Sequence, residues 1–192
     1  MSSPRKTARG HASGTRTAVA AAVLLPVLVS LSLASADPED ELKAAAVLSF
    51  LRYSQLAVAP GTAVSVGVFG RPAFTEVLAR TLESKVIHNR PVRLVSLAST
   101  SDLRNCQMIY VASSKVSEVR QIVSAASATH ALTIGETGRF LEEGGAINLF
   151  LIDGHIGFEV SMDALARSGV AISSSMLRLG QIRDTGRRRL VP

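Results

Sequence analysis

Val64-Ser65-Val66-Gly67-Val68-Phe69-Gly70-Arg71-Pro72 is the stretch on which the fold turns. Valines alternate with small residues, the pattern of a buried strand, and Gly70 closes it. Pro72 then suits the first turn of a helix, because its missing N–H would go unbonded there anyway. Phe74, Val77, Leu78 and Leu82 recur at helical spacing, so the helix is expected from Pro72 to about Ser84. A buried strand feeding a helix within three residues is half of a parallel crossover unit.

The same punctuation repeats downstream. Val92–Val95 and the continuously apolar Met108–Val111 read as further strands. Ser113 or Ser114 is expected to cap a helix through Val116, Val119, Ile122 and Val123, and Ala131–Ile134 to return as a strand. Strand and helix in alternation predict an α/β fold, a mostly parallel sheet flanked by helices. The rhythm then changes. Ala146–Leu151 and His155–Val160 are strands joined across Asp153-Gly154, a strong two-residue hairpin signal. The expected architecture is therefore a single domain with a mixed, mostly parallel sheet and a C-terminal antiparallel hairpin. Ser161 starts a short helix stopped at Gly169, and Ser173 to about Ile182 is expected to form the last one.

Upstream, Asp37-Pro38 followed by three acids marks a helix start, with negative charge at the positive end of the helix dipole. That helix is expected to end before Pro60-Gly61. Residues 1–36 read differently. Arg5, Lys6, Arg9 and Arg16 precede an apolar run from Ala18 to Leu33, and small Ala34 and Ala36 then flank Ser35. This order predicts a secretory signal peptide cleaved after Ala36, with the mature protein beginning at Asp37 outside the cytoplasm. The run falls short of the roughly 20 residues of a spanning helix, which favours cleavage over anchoring. The expected organisation is a signal peptide over 1–36, an α/β domain over 37–182 and a basic tail over 183–192.

Charge follows the same division. Four of the 21 basic residues lie in residues 1–36 and none of the 15 acidic ones do, so the remainder carries only +2. Three of its cations sit together at Arg187-Arg188-Arg189, so nucleic acid is not an expected partner. Cys106 is the single cysteine, which excludes an intramolecular disulfide; at the head of an apolar strand it reads as a small buried hydrophobe, with a redox sensor, an intermolecular bridge or a nucleophile as the alternatives.

Catalytic and metal patterns are missing from the sequence. His88, His130 and His155 show no chelating spacing, and His155 and Glu159 would stand roughly 13 Å apart along one strand. No G-x-S-x-G elbow occurs, and Ser173-Ser174-Ser175 reads as a helix cap. Neither cofactor, metal nor catalytic residue is expected. Gly67-x-x-Gly70 with Arg71 precedes a helix N-terminus, where backbone N–H groups could hold an anion, although a flexible turn explains the glycines as well.

At the hairpin the residues carry a resemblance. Gly144-Gly145-Ala146-Ile147-Asn148-Leu149-Phe150, then Gly157-Phe158-Glu159-Val160, resembles the closing pattern of the YfiR/HmsC-like periplasmic proteins. Lys43 to Tyr53, Val66 to Gly70 with Phe74, Asp102-Leu103 with Cys106 to Val111, and Ile172 to Leu177 are similar to other segments of that family, in the same order. The resemblance spans about Ala44 to Leu179. It implies a periplasmic, non-enzymatic regulator that holds a membrane-bound diguanylate cyclase inactive, lowering cyclic di-GMP and biofilm formation. The implied partner is an inner-membrane signalling protein, a diguanylate cyclase or a receptor kinase; self-association into a homodimer stays open. Two departures stand out: Ser161 replaces the usual Asn, and Cys106 is alone where better-known members pair cysteines.

Glu159 reads either as a carboxylate fixing the next turn or, with Ile147 and Phe150, as part of a partner-binding sheet edge. The competing functional reading is a periplasmic small-molecule-sensing module for a histidine kinase or transporter. Its ligand would sit at the carboxyl ends of the parallel strands, near Gly67, Gly70 and Arg71 and near Ser96 to Thr100.

Overall fold

A computed structural model describes residues 37–183. The expected signal peptide, with its expected cleavage site at Ala34 and Ala36, and residues 184–192 lie outside the described residues.

The chain opens with α1 (Pro38–Tyr53), capped by the Asp37 side chain on the Glu39 N–H, then β1 (Ser54–Gln55). Next come β2 (Val64–Phe69), α2 (Pro72–Leu82), β3 (Val86–Ile87) and β4 (Arg90–Ser96). A 3-10 segment (Thr100–Asn105) leads into β5 (Met108–Val111), and a second one (Ser113–Glu118) into α3 (Val119–Ala128) and β6 (Leu132–Gly135). The hairpin is β7 (Ile147–Ile152) and β8 (His155–Ser161), turning at Asp153-Gly154 with positive φ at both residues. After it come α4 (Met162–Ser168), β9 (Ala171–Ile172), α5 (Ser174–Leu177) and β10 (Gln181–Arg183).

Among the described residues eight strands form one sheet in the order β10-β8-β7-β6-β5-β2-β4-β3, while β1 and β9 pair separately. Neighbours from β7 through β6, β5 and β2 to β4 are parallel; β7–β8 and β3–β4 are antiparallel. The expected α/β architecture is what the chain adopts. From β2 the chain crosses to β4 on one side and then returns to β5 on the other, which puts a topological switch point between β2 and β5.

Two apolar layers sandwich the sheet. Val64, Val66 and Val68 of β2 join α1, α2 and α4 in the larger one, where Phe50 meets Phe158 edge-on at 5.0 Å and Phe74 stacks on Tyr110 at 4.4 Å. Phe69 faces the smaller layer with Ile109, Val111, α3 and Phe140. The small residues noted in the first strand now have a cause. A Cβ on Gly67 would lie 2.4 Å from Leu97 Cδ1 and 2.9 Å from Cys106 Sγ. Cys106 itself follows the 3-10 segment rather than opening β5, and its thiol is buried there.

Several boundaries depart from expectation. The first helix stops at Tyr53, because Ser54 and Gln55 pair with Ile172 and Ala171. The helix expected from Ser113 begins only at Val119; the Ser113 N–H is taken by Glu136 Oε1 at 2.6 Å, and Lys115 breaks the helical path. The last helix ends at Leu177, not Ile182. Gly180 then lets the chain pass against the Phe158 ring, where any Cβ would sit 2.1 Å from Phe158 Cε2. Beyond it Gln181-Ile182-Arg183 pairs in parallel with β8, so Arg183 belongs to the sheet and not to a loose tail.

Candidate functional site

Two regions collect the residues singled out in the sequence. The first is the carboxyl end of the central strands. Arg71 leaves β2 there, Ser113 follows β5, and Glu136 follows β6. The N-terminal turn of α1 fills the space above them. Asp40 Oδ1 lies 2.5 Å from Arg71 Nη2, and Lys43 Nζ pairs with both Glu39 (2.5 Å) and Glu136. The Tyr110 hydroxyl donates to Glu136 Oε2 at 2.8 Å, and the Ser113 N–H to Oε1.

Burial alone would raise the pKa of Glu136, but the hydrogen bonds from Lys43, the Ser113 N–H and Tyr110 outweigh it and hold the carboxyl below its ordinary value. Burial likewise opposes the charge on Lys43, and Glu136 and Glu39 more than offset it, leaving the ammonium above its ordinary range. Burial first, and the Glu136 carboxylate second, push the Tyr110 phenol well upward, so it stays protonated and can only donate to that carboxylate. Arg71 is likewise raised: burial works against its charge, and Asp40 overcomes that. These ions brace one another. In open α/β sheets a ligand commonly sits at this switch point; here the first helix occupies it.

The expected anion cradle therefore breaks up. Gly67 lies inside β2 with Leu97 and Cys106 closing on where a Cβ would be, Gly70 approaches Ala112 (2.3 Å from a would-be Cβ), and Arg71 faces Asp40. Asp40, Lys43, Tyr110 and Glu136 are functional-site residues that the sequence does not single out; there Asp40 reads only as a helix-start charge. A carboxylate placed directly after a buried strand, as Glu136 is after Gly135, was the available signal.

The second region is the hairpin. Register puts Ile147 opposite Val160, Asn148 opposite Glu159, and Phe150 opposite Gly157. Side chains alternate along a strand, so Ile147 shares a face with Leu149 and Val160, inside the larger core and fully buried. Ile147 therefore cannot face a partner with Phe150 and Glu159, contrary to expectation. Nor is Glu159 on an open sheet edge: β10 pairs with the Glu159–Ser161 end of β8, and Arg183 grips Glu159 Oε1 through Nε (3.2 Å) and Nη2 (2.7 Å).

What remains is a sheet face. Asn148, Phe150, Ile152, Gly157 and Glu159 line the side opposite α1 and α4, the helices that pack on β8. The Phe150 ring lies across Gly157, only 2.4 Å from where a Cβ would be, and Ile152 is 57% exposed. Asn148 is 6% exposed, and its Oδ1 finds no partner among the described residues. An aromatic ring, an aliphatic tip and an anchored carboxylate on a rigid sheet make a surface suited to recognition by contact.

Among the described residues no group of three His, Cys, Asp or Glu side chains gathers as a metal site, and no helix is long and apolar enough to cross a membrane.

Comparison with known proteins places this geometry. Comparison with curated proteins gives no match. Among solved structures, a conserved domain protein from Vibrio cholerae O1 biovar eltor str. N16961 is similar, with a TM-score of 0.52 at 13% identity. That alignment covers 74% of this chain and 59% of the other. The ABC domain in complex with L-Trp from Streptococcus pneumonia aligns at a TM-score of 0.45 and 11% identity, over 66% of this chain and 57% of that one. The chain thus spans less than two thirds of either structure, and the first likeness is one of fold alone. The YfiR/HmsC-like family pattern, by contrast, matches residues 40–181, from Asp40 in α1 to Gln181 in β10. With that match running through every helix and strand of the main sheet, the chain belongs to the YfiR/HmsC-like family.

Proposed function

We propose that this protein is an exported, non-enzymatic regulator acting in the periplasm on an inner-membrane signalling enzyme, a diguanylate cyclase. It docks on the partner's outer portion and stabilises one conformation of it. Family membership across residues 40–181 carries the reading, since the family's members are regulators of such cyclases. The basic, apolar and small-residue order of residues 1–36 supports export. Contact is assigned to the sheet face bearing Phe150 and Glu159, with Ile147 holding that face from beneath.

Regulation of this kind needs differential affinity and no chemistry. Moving a partner from 1:99 to 99:1 takes roughly a 10⁴-fold preference for one state, within reach of one well-packed aromatic anchor and its surroundings. The test is a deletion strain complemented with wild type or with Phe150→Ala. Deletion should raise cellular cyclic di-GMP, wild type should restore it, and F150A should restore it poorly while the protein folds and accumulates normally. Unchanged cyclic di-GMP on deletion, together with no membrane protein co-purifying with a tagged copy, would sink the proposal.

A further inference from the structure

At the amino ends of β2 and β4, away from both regions above, lies a partly open cavity of about 190 Å³ lined by Gln55, Leu56, Val58, Val64, His88 and Arg90. Its floor is aliphatic and its rim is cationic and polar. Two loops build it. One is the chain from β1 to β2, folded back by the Thr62 N–H and hydroxyl on the Ala59 carbonyl. The other is the β3–β4 turn, where His88 and Asn89 both adopt positive φ, 50° and 62°. Such a turn matches the twist of a tight hairpin, but at His88 it holds a bulky side chain in a region glycine would enter without strain.

That histidine is fixed in place: its Nε2 meets the Ser54 carbonyl at 3.1 Å. Arg90 ties the opposite wall, its Nη1 donating to the carbonyls of Ala59 (2.5 Å) and Thr62 (3.3 Å). A guanidinium offers five N–H donors in a planar fork. Both bonds of Arg90 leave from Nη1, so the Nε and Nη2 donors have no partner among the described residues. Ser54, next to the lining Gln55, is fully buried with an Oγ that also lacks a partner. The cavity therefore combines an apolar floor with a preplaced cation whose Nε and Nη2 donors are unused.

The geometry points to a binding site here for a small carboxylate with a branched aliphatic tail, six to eight non-hydrogen atoms in size, its carboxylate on Arg90 and its tail on Leu56, Val58 and Val64. Size suggests the class. About 190 Å³ is the space of roughly six waters, below the roughly 300 Å³ at which drug-sized pockets begin, so a molecule of six to eight non-hydrogen atoms matches it. Carboxylate is favoured because planar, bidentate recognition is what guanidinium does best. The site is independent of the docking face and of whichever protein binds there.

The test uses purified protein and 3-methylbutanoate, with 3-methylbutan-1-ol and 3-methylbutylamine as neutral and cationic controls of the same shape. Amide NMR shifts should move saturably at Gln55, Val58, Val64, His88 and Arg90 with the acid and not with the controls. Arg90→Gln should weaken binding at least tenfold, the loss of a charge-assisted hydrogen bond. Because R90Q also frees the Ala59–Thr62 loop, Val58→Phe supplies the second arm: it fills the cavity, leaves Arg90 in place, and should abolish the shifts. No saturable shift up to 20 mM acid, equal binding of alcohol or amine, shifts centred elsewhere, or full binding by V58F would each overturn the assignment. A negative result here says nothing about docking, which is read from cyclic di-GMP in cells.

Discussion

Glu136→Gln tests the buried ionic brace most directly. Glu136 has a nearly inaccessible side chain and accepts from Lys43, Tyr110 and the Ser113 N–H. Glutamine keeps the shape and one acceptor for the Ser113 N–H but removes the charge beneath Lys43. Breaking one side of a buried pair costs about 3–5 kcal/mol. Lys43 retains half-exposed Glu39 as a partner, so the lower end, about 3 kcal/mol, is expected. In a domain of this size that is a fall in Tm of roughly 6–12 °C. Replacing both charges, as Lys43→Met with Glu136→Gln, leaves no buried uncompensated ion, only the half-exposed Glu39 without its partner, and should return to within about 1 kcal/mol of wild type. Urea denaturation followed by circular dichroism measures all three proteins. The pH profile supplies a sign. Glu136 titrates lower folded than unfolded, so its contribution is complete above about pH 5 and drains away as pH falls through the folded value. Lys43 titrates higher folded than unfolded, so its share is complete below about pH 10 and is lost as pH rises through its folded value. E136Q should therefore lose most of the acid-side decline that this group causes. A loss under about 1 kcal/mol for E136Q, or a double variant no more stable than the single one, would refute the brace.

Three further outcomes follow from the packing. Gly67→Ala must push Leu97 and Cys106 apart and should destabilise by about 1–3 kcal/mol through overpacking, read as a lower urea midpoint at unchanged slope. Burial raises the Cys106 thiol, with Asp102 adding to it and Arg93 only partly opposing, so a thiol reagent at pH 8 should label it slowly in the native protein and quickly in urea; fast native labelling would contradict the burial. Glu159→Arg breaks only a partly exposed bridge with Arg183 and should cost no more than about 1 kcal/mol, yet it should abolish co-purification of the membrane partner; a matching loss of fold and of partner would remove Glu159 from the docking face.

The central parallel strands β2, β5 and β6 were legible because they are buried on both faces and so read as apolar runs; Met108–Val111 is bounded residue for residue as expected. The Asp153-Gly154 hairpin was legible because positive φ at two successive positions restricts the residues that can sit there. The three-residue β10 was not, because its stability comes from pairing with β8 and no periodicity precedes it. The depth of Ile147 was within reach: Ile147 and Phe150 are an odd number apart and must face opposite sides of a regular strand. The ionic brace was hidden because its members come from four separate elements, and only the fold brings Asp40, Arg71, Tyr110 and Glu136 together. For the same reason the Arg90 cavity has no sequence signature: Leu56, Val64 and His88 are unremarkable until the two loops meet.

Filling the switch point with α1 limits how this fold can transmit a signal. A helix that swung away from the carboxyl ends would have to break the Asp40–Arg71 and Lys43–Glu136 pairs. It would also have to expose Val47, Phe50 and Leu51, all fully buried. At about 1.5–3 kcal/mol for each large apolar side chain, those three alone amount to roughly 5–9 kcal/mol, comparable to the whole stability of an ordinary domain. Opening of α1 is thus global unfolding rather than a regulatory motion. A ligand or partner that altered the fold short of unfolding it would have to act where less is buried, at the Ala59–Thr62 loop and the His88-Asn89 turn around the Arg90 cavity, or at the exposed face of the β7–β8 hairpin. A rigid core with change confined to its rims fits a molecule whose effect on a partner comes from presenting a fixed surface.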